Sequence, residues 1–207
     1  MLLLAAWLSA CFAAAILLRN RPLEAVIAAL ALWLMIPALG AASITGLTTT
    51  SPIAFHPATW LILVVSAVQL VGRPRPIVGV FARHPYVIAM IAIFTAGAGL
   101  TTVLSGSGGL RLLTNQVIAP ALLFILVLAH ARGERQIRWL RNTVVACAAL
   151  QALIALVQWA LGDVLFFAAQ FETQYWFRPD RNDRWMGTTD GPLTLALLLA
   201  VAGAFVL

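Results

Sequence analysis

PYVIAMIAIFTAGAGLTTVL, residues 85–104, carries no charged side chain over the length an α-helix needs to cross the hydrocarbon of a bilayer, about 20 residues. Pro85 opens the run and the glycine-rich SGSGG that follows closes it, so helix start and stop signals bracket it. Comparable apolar runs occupy residues 2–18, 23–42, 57–72, 112–131, 142–161 and 192 onward, with 57–72 the weakest. The chain is 62% hydrophobic and 10% charged, with a mean hydropathy of +0.98, which excludes an ordinary soluble domain. Inside a bilayer every backbone polar group must be satisfied within the protein, so open sheets are excluded too. The expected fold is all-α: a polytopic transmembrane helix bundle with about seven membrane segments, forming a single transmembrane domain over residues 1–207. No repeat at solenoid spacing is detectable.

The net charge of +6 would suggest nucleic acid in a soluble protein. Here the basic residues, all arginine, are confined to the breaks between apolar runs, and membrane topology explains them without a nucleic-acid partner. The six breaks carry two, none, three, one, four and three arginines in chain order. Alternation over the first five places the first, third and fifth in the cytoplasm and the second, fourth and sixth outside, in a multi-pass protein of the cytoplasmic (inner) membrane. The segment Arg132–Arg141 reads as a basic amphipathic stretch on the cytoplasmic surface. The N-terminus then lies outside. Met1 leads into an apolar run without a basic n-region, which predicts a first membrane helix rather than a cleaved signal peptide. The chain stops in an apolar run, so it is expected to be the N-terminal part of a longer protein.

The sixth break, the external loop 162–191, is the long polar interval. Within it FETQYWFRPDRNDRWMGTTDGP, residues 171–192, packs Arg178, Arg181 and Arg184 among four acids and several aromatics. Arginines at every third residue suit a clamp for phosphate oxygens, because the guanidinium is planar and permanently charged. The competing reading is a solvated loop in which Glu172, Asp180 and Asp183 pair with these arginines, with little energetic consequence. In RWMGTTDGP, residues 184–192, the hydroxyls of Thr188 and Thr189 and the free N–H groups of a proline-started helix suit an anion. An ordinary capped helix start explains the Asp-Gly-Pro portion equally well.

Other candidates are weaker. Arg111 heads a helix bearing Asn115 and Gln116 and either reaches the same external pocket or snorkels to the interface. Gln151 and Gln158, seven apart, share a helix face expected to point inward and to hydrogen-bond between helices. Cys11 and Cys147 read as small apolar helix residues. His56, His84 and His130 lie at segment edges without ligands at i+3 or i+4, so no metal site is expected. SGSGG lacks the lysine of a phosphate-binding loop, and no cofactor is expected.

Arg184, Gly187, Thr188 and Pro192 together resemble the Arg-x-x-Gly-Thr/Ser-x-x-x-Pro pattern with which the O-antigen ligase and polymerase-like family of bacterial membrane proteins enters a transmembrane helix. Asn115 and Pro120, followed by a basic loop, are similar to that family's N-terminal half, and the resemblance extends over nearly the whole chain. It implies a metal-independent glycosyltransferase that takes a polyprenyl-diphosphate-linked glycan donor at the outer membrane face and transfers it to a glycan or lipid acceptor. Arg184 would bind the donor, with Arg181, Arg178, Arg111, Gly187 and Thr188 as further substrate-binding residues. The family's large external loop and catalytic histidine would lie beyond Leu207. Gly191 and Leu193 depart from the polar residues common at those places, which leaves acceptor specificity open. The alternative reading is a transporter or flippase for an anionic or lipid-linked solute; polar residues at the membrane edge rather than its middle favour the enzyme.

Overall fold

A computed structural model describes residues 2–47, 51–105, 108–172, 187–189 and 192–206, and every regular element among them is helical. In chain order these are α1 (Leu2–Leu17), α2 (Pro22–Met35), a 3₁₀ turn (Ala38–Gly40), α3 (Ala41–Thr45), α4 (Pro57–Gly72), α5 (Pro74–Arg83) and α6 (Pro85–Ser105). There follow α7 (Gly108–Leu113), a π-helical turn (Thr114–Ile118), α8 (Ala119–His130), α9 (Glu134–Leu161), α10 (Ala168–Phe171) and α11 (Pro192–Val206). Proline is the first residue of α2, α4, α5, α6 and α11. It fits there because the first helical N–H has no intrahelical acceptor and the ring presets φ.

Three helical stretches are individually long and apolar enough to cross a membrane: Pro85–Val103, Gly109–His130 and Glu134–Leu161. The number rises to five if each of two bent pairs is one span. α2 and Ala38–Thr45 are bent by 99°, and α4 and α5 by 97°. Both bends fall where a residue precedes proline and is driven out of the helical region: Ile36 before Pro37 at φ −106°, ψ 123°, and Arg73 before Pro74 at φ −150°, ψ 67°. The apolar runs 2–18 and 192 onward form α1 and α11, shorter than the other spans; at 1.5 Å per residue α1 reaches about 24 Å against a core of about 30 Å.

α4 is the centre of the bundle. Ala58, Leu61, Ile62, Val65 and Gln69 recur at helical spacing and are all buried against α1, α2 and α8. The partners meet α4 through small residues, Cys11 and Ala15 of α1, Ala25 and Ala29 of α2, and Ala119 and Ala129 of α8. Small side chains let helix axes approach closely, which is how association is gained when lipid is as apolar as the helices. Both cysteines are buried and unpaired. α6 is the opposite case: its spanning stretch buries no residue, and Met90, Ile93 and Phe94 are exposed. Such a face is suited to hydrocarbon rather than water.

The basic segment Arg132–Arg141 is not a separate surface stretch. α9 starts at Glu134, so residues 134–141 are its first turns, with Arg138 3.5 Å from Glu134 and Arg135 over the Trp139 ring. Gly133 supplies an extended N-cap, and the good helix formers that follow carry the helix on into the apolar run. The alternation of the breaks has a geometric counterpart. Arg73 Nη2 donates to Asn20 Oδ1 at 2.7 Å and Gln69 Nε2 donates to the Arg19 carbonyl at 3.2 Å, so the first and third breaks meet at one end of α4. The second, fourth and sixth breaks meet at the other.

Candidate functional site

At that second end, Pro37 ends α2 and leaves backbone carbonyls of its last turn without helical donors. Three successive carbonyls are satisfied from three different places. Gln151 of α9 donates Nε2–H to the Leu34 carbonyl at 2.9 Å, Thr188 donates its hydroxyl to the Met35 carbonyl at 2.6 Å, and the His56 ring bonds the Ile36 carbonyl at 2.8 Å. His56 is also the N-cap of α4: its Nδ1 accepts the Ala58 N–H at 3.1 Å, which leaves Nε2 to carry the proton that goes to Ile36. Its ring stacks on Trp33, with centroids 5.5 Å apart. The break in α2 is therefore a fixed corner.

Two glutamines on one face of α9 hold the segment that precedes α11. Gln158 accepts the Gly187 N–H at 3.1 Å and donates to the Gly187 carbonyl at 2.9 Å. Gln151 accepts the Thr188 N–H at 2.7 Å and donates to the Thr188 hydroxyl at 2.6 Å. Both glutamine side chains are fully buried. Gly187 stands at φ 62°, a region an L side chain rarely adopts, and a Cβ there would lie 2.8 Å from the Gln151 carbonyl oxygen. The inward face expected of Gln151 and Gln158 is present. Their partners are mostly backbone groups of a turn and of α2, not polar side chains of a facing helix.

The fourth break is tied to the second through Asn115. The π-helical turn widens the helix there, and Asn115 Oδ1 accepts both the His56 N–H at 3.1 Å and the Thr59 hydroxyl at 2.9 Å. The sixth break is tied in through Phe167, which takes a left-handed φ of 59° and lays its ring on Gly40, where any Cβ would come within 2.6 Å of it. Gln170 Nε2 donates to Ser43 Oγ at 2.9 Å, and Phe171 is fully buried.

These contacts enclose a cavity of about 790 Å³ between the α2 corner, α3, the N-terminus of α4, α7 with the π turn, α10 and α11. Its polar wall includes His56, Arg111, Asn115, Gln116, Gln170 and Thr189, beside the Trp33 ring and an apolar flank of Leu34, Leu39 and Leu198. The volume and the few convergent polar groups on an apolar lining are those of a small-molecule or head-group site. Arg111 is the charged residue among the lining side chains. A guanidinium among amide and hydroxyl groups makes the wall suited to an anionic or hydroxyl-rich ligand.

Of the residues proposed from sequence, Arg111 lines the cavity, together with its neighbours Asn115 and Gln116. Gly187 and Thr188 lie behind the wall in the glutamine clamp, and Thr189 is the hydroxyl of that pair in the lining. Arg178, Arg181 and Arg184 lie outside the described residues. Sequence reasoning missed Trp33 and Gln170, and left His56 as an interfacial residue. A histidine directly before a helix-starting proline was the available signal for the N-cap, but nothing local marks its bond to Ile36. Among the described residues, no group of three histidine, cysteine or acidic side chains could hold a metal ion. Comparison with family models, characterised proteins and solved structures found no match.

His56→Ala is expected to remove both the cap and the bond to the α2 corner, costing about 2–3 kcal/mol, read as a lowered thermal unfolding midpoint in detergent. His56→Asn restores an acceptor for Ala58 N–H but is too short for Ile36, so it should recover about 1 kcal/mol of that loss. Equal midpoints for the two variants would show that the cap contributes nothing.

Proposed function

We propose that this chain is the membrane-embedded portion of a glycan ligase or polymerase that transfers a polyprenyl-diphosphate-linked glycan to a glycan or lipid acceptor in cell-surface polysaccharide biosynthesis. In this reading it resides in the inner membrane with about seven membrane segments, α1 and α11 being short ones. The ends of the second, fourth and sixth breaks face outward. The observation that carries the reading is the cavity where those three breaks converge, with amides, hydroxyls, an indole and Arg111 on its wall. Amide and hydroxyl groups bond sugar hydroxyls, an indole covers a sugar's apolar face, and arginine bonds phosphate bidentately. Arg184, three residues before the clamped Gly187, together with Arg181 and Arg178, would bind the diphosphate and stabilise charge developing on it as it leaves.

A transporter or flippase is the second reading, favoured by one observation: α2 is broken beside the cavity, as helices often are at the substrate sites of transporters. In such transporters the carbonyls freed at the break coordinate a coupling ion. Here those of Leu34, Met35 and Ile36 are bonded by protein side chains, which speaks for the transferase.

The test is glycan transfer from a polyprenyl-diphosphate donor in membranes carrying the full-length protein. Arg184→Ala is expected to lower kcat/KM by about 10²-fold or more, with Arg184→Lys a poor rescue because lysine lacks the two-pronged geometry. Arg111→Ala is expected to raise the donor KM by about tenfold. Full activity in both Arg184 variants would return that residue to the solvated-loop reading. Absence of wild-type transfer combined with donor uptake into proteoliposomes would replace the enzyme by the transporter.

A further inference from the structure

The sequence offers two adjacent hydroxyls, Thr188 and Thr189, in one short turn, and the structure separates their tasks. Thr188 has no remaining capacity for a ligand at its backbone N–H, which Gln151 accepts at 2.7 Å. Its hydroxyl receives a proton from Gln151 and gives its own to the Met35 carbonyl, both at 2.6 Å. Gly187 is held at both backbone groups by Gln158. Gly187 turns the chain at φ 62° directly before the two threonines. The Thr188 side chain is held in the clamp, and Thr189, 5% exposed, belongs to the cavity wall that Arg111 and Asn115 also line.

We propose that Gln151 and Gln158 are positioning residues that bolt Thr188 to the α2 corner and thereby assign Thr189 as the ligand-facing hydroxyl of the cavity. This rests on the cavity being the donor site proposed above, whereas the bolt itself stands on the hydrogen bonds alone. Gln158 is two turns beyond the direct α2 contact made by Gln151 and can be altered without exposing the Leu34 carbonyl. Gln151 ties the same turn to α2, so the turn and the α2 break move together. Neither glutamine touches the ligand in this scheme.

Hydrogen exchange and ligand binding, measured on the full chain in nanodiscs, separate the two halves of the proposal. The binding probe is a polyprenyl diphosphate without sugar. Gln158→Leu and Thr188→Val are expected to speed exchange of the Gly187 and Thr188 amides by at least tenfold while amides in the first turns of α9 keep their wild-type rates. Both should also weaken probe binding by several-fold. Gln158→Glu keeps an acceptor for the Gly187 N–H and should retain most of the protection. Thr189→Val is expected to weaken probe binding by about five- to tenfold with exchange at 187–188 unchanged. Unchanged exchange in Gln158→Leu overturns the bolt, as does acceleration of the α9 base to the same extent, which would report global unfolding. Unimpaired binding in Thr189→Val overturns the assignment of the ligand-facing hydroxyl. Failure of the wild type to bind the probe overturns the donor-site reading and leaves the bolt to be judged by exchange.

Discussion

Gly187→Ala is expected to destabilise the protein by about 3–5 kcal/mol and to abolish any activity that depends on the turn before α11. Two costs combine. A residue with a Cβ held at φ 62° loses roughly 1–2 kcal/mol relative to glycine. The new methyl would also overlap the Gln151 side-chain oxygen and sit 2.8 Å from that residue's backbone carbonyl, where rigid α9 backbone cannot yield. The cheapest relief is to push Gln151 out of its place, which releases Thr188 as well. Gly203→Ala is the control, because a Cβ at Gly203 meets nothing within 4 Å and alanine is the better helix former. Thermal unfolding in detergent should show opposite signs for the two variants. A Gly187→Ala midpoint within a degree or two of wild type would mean that the clamp is not formed as described.

Gln151→Leu is the second large effect. It leaves the Thr188 N–H and the Leu34 carbonyl buried without partners, and each such group costs about 1–3 kcal/mol. The expected loss is about 2–5 kcal/mol, concentrated in the contact between α2, α9 and the start of α11. A double-mutant cycle with Thr188→Val isolates the pair. The double variant should be less destabilised than the sum of the singles by about 1–2 kcal/mol, because each single change already loses the bond between the Gln151 amide and the Thr188 hydroxyl and the sum counts it twice. Strict additivity would show that Gln151 and Thr188 act independently, contrary to their 2.6 Å contact.

Much of the wall was legible before any coordinates. Alternation of arginines between breaks predicts that the second, fourth and sixth breaks share a face, and Ala54, His56, Arg111, Gln170 and Thr189 from those breaks do line one cavity. Prolines at residues 22, 57, 74, 85 and 192 mark helix starts because a missing N–H is harmless only there. The count of seven membrane segments was less secure. Hydropathy measures apolar length along the chain and is blind to a change of direction, so runs 23–42 and 57–72 with its sequel conceal bends of 99° and 97°.

What the sequence determined by itself is the local physics: helices from apolar runs too long for anything else, a break from Arg73 onward, and an inward face on α9 carrying Gln151 and Gln158. Periodicity reports which face a residue occupies, because neighbours at i+3 and i+4 are fixed by the helix itself. It carries nothing about the group that meets that face. The tertiary structure alone decided that Gln151 bonds a carbonyl 117 residues away, that Thr188 reaches Met35 across 153, and that Thr189 rather than Thr188 faces the cavity. Those pairings follow from a helix break whose freed carbonyls still need donors, so the side chains that satisfy them must come from wherever packing brings them.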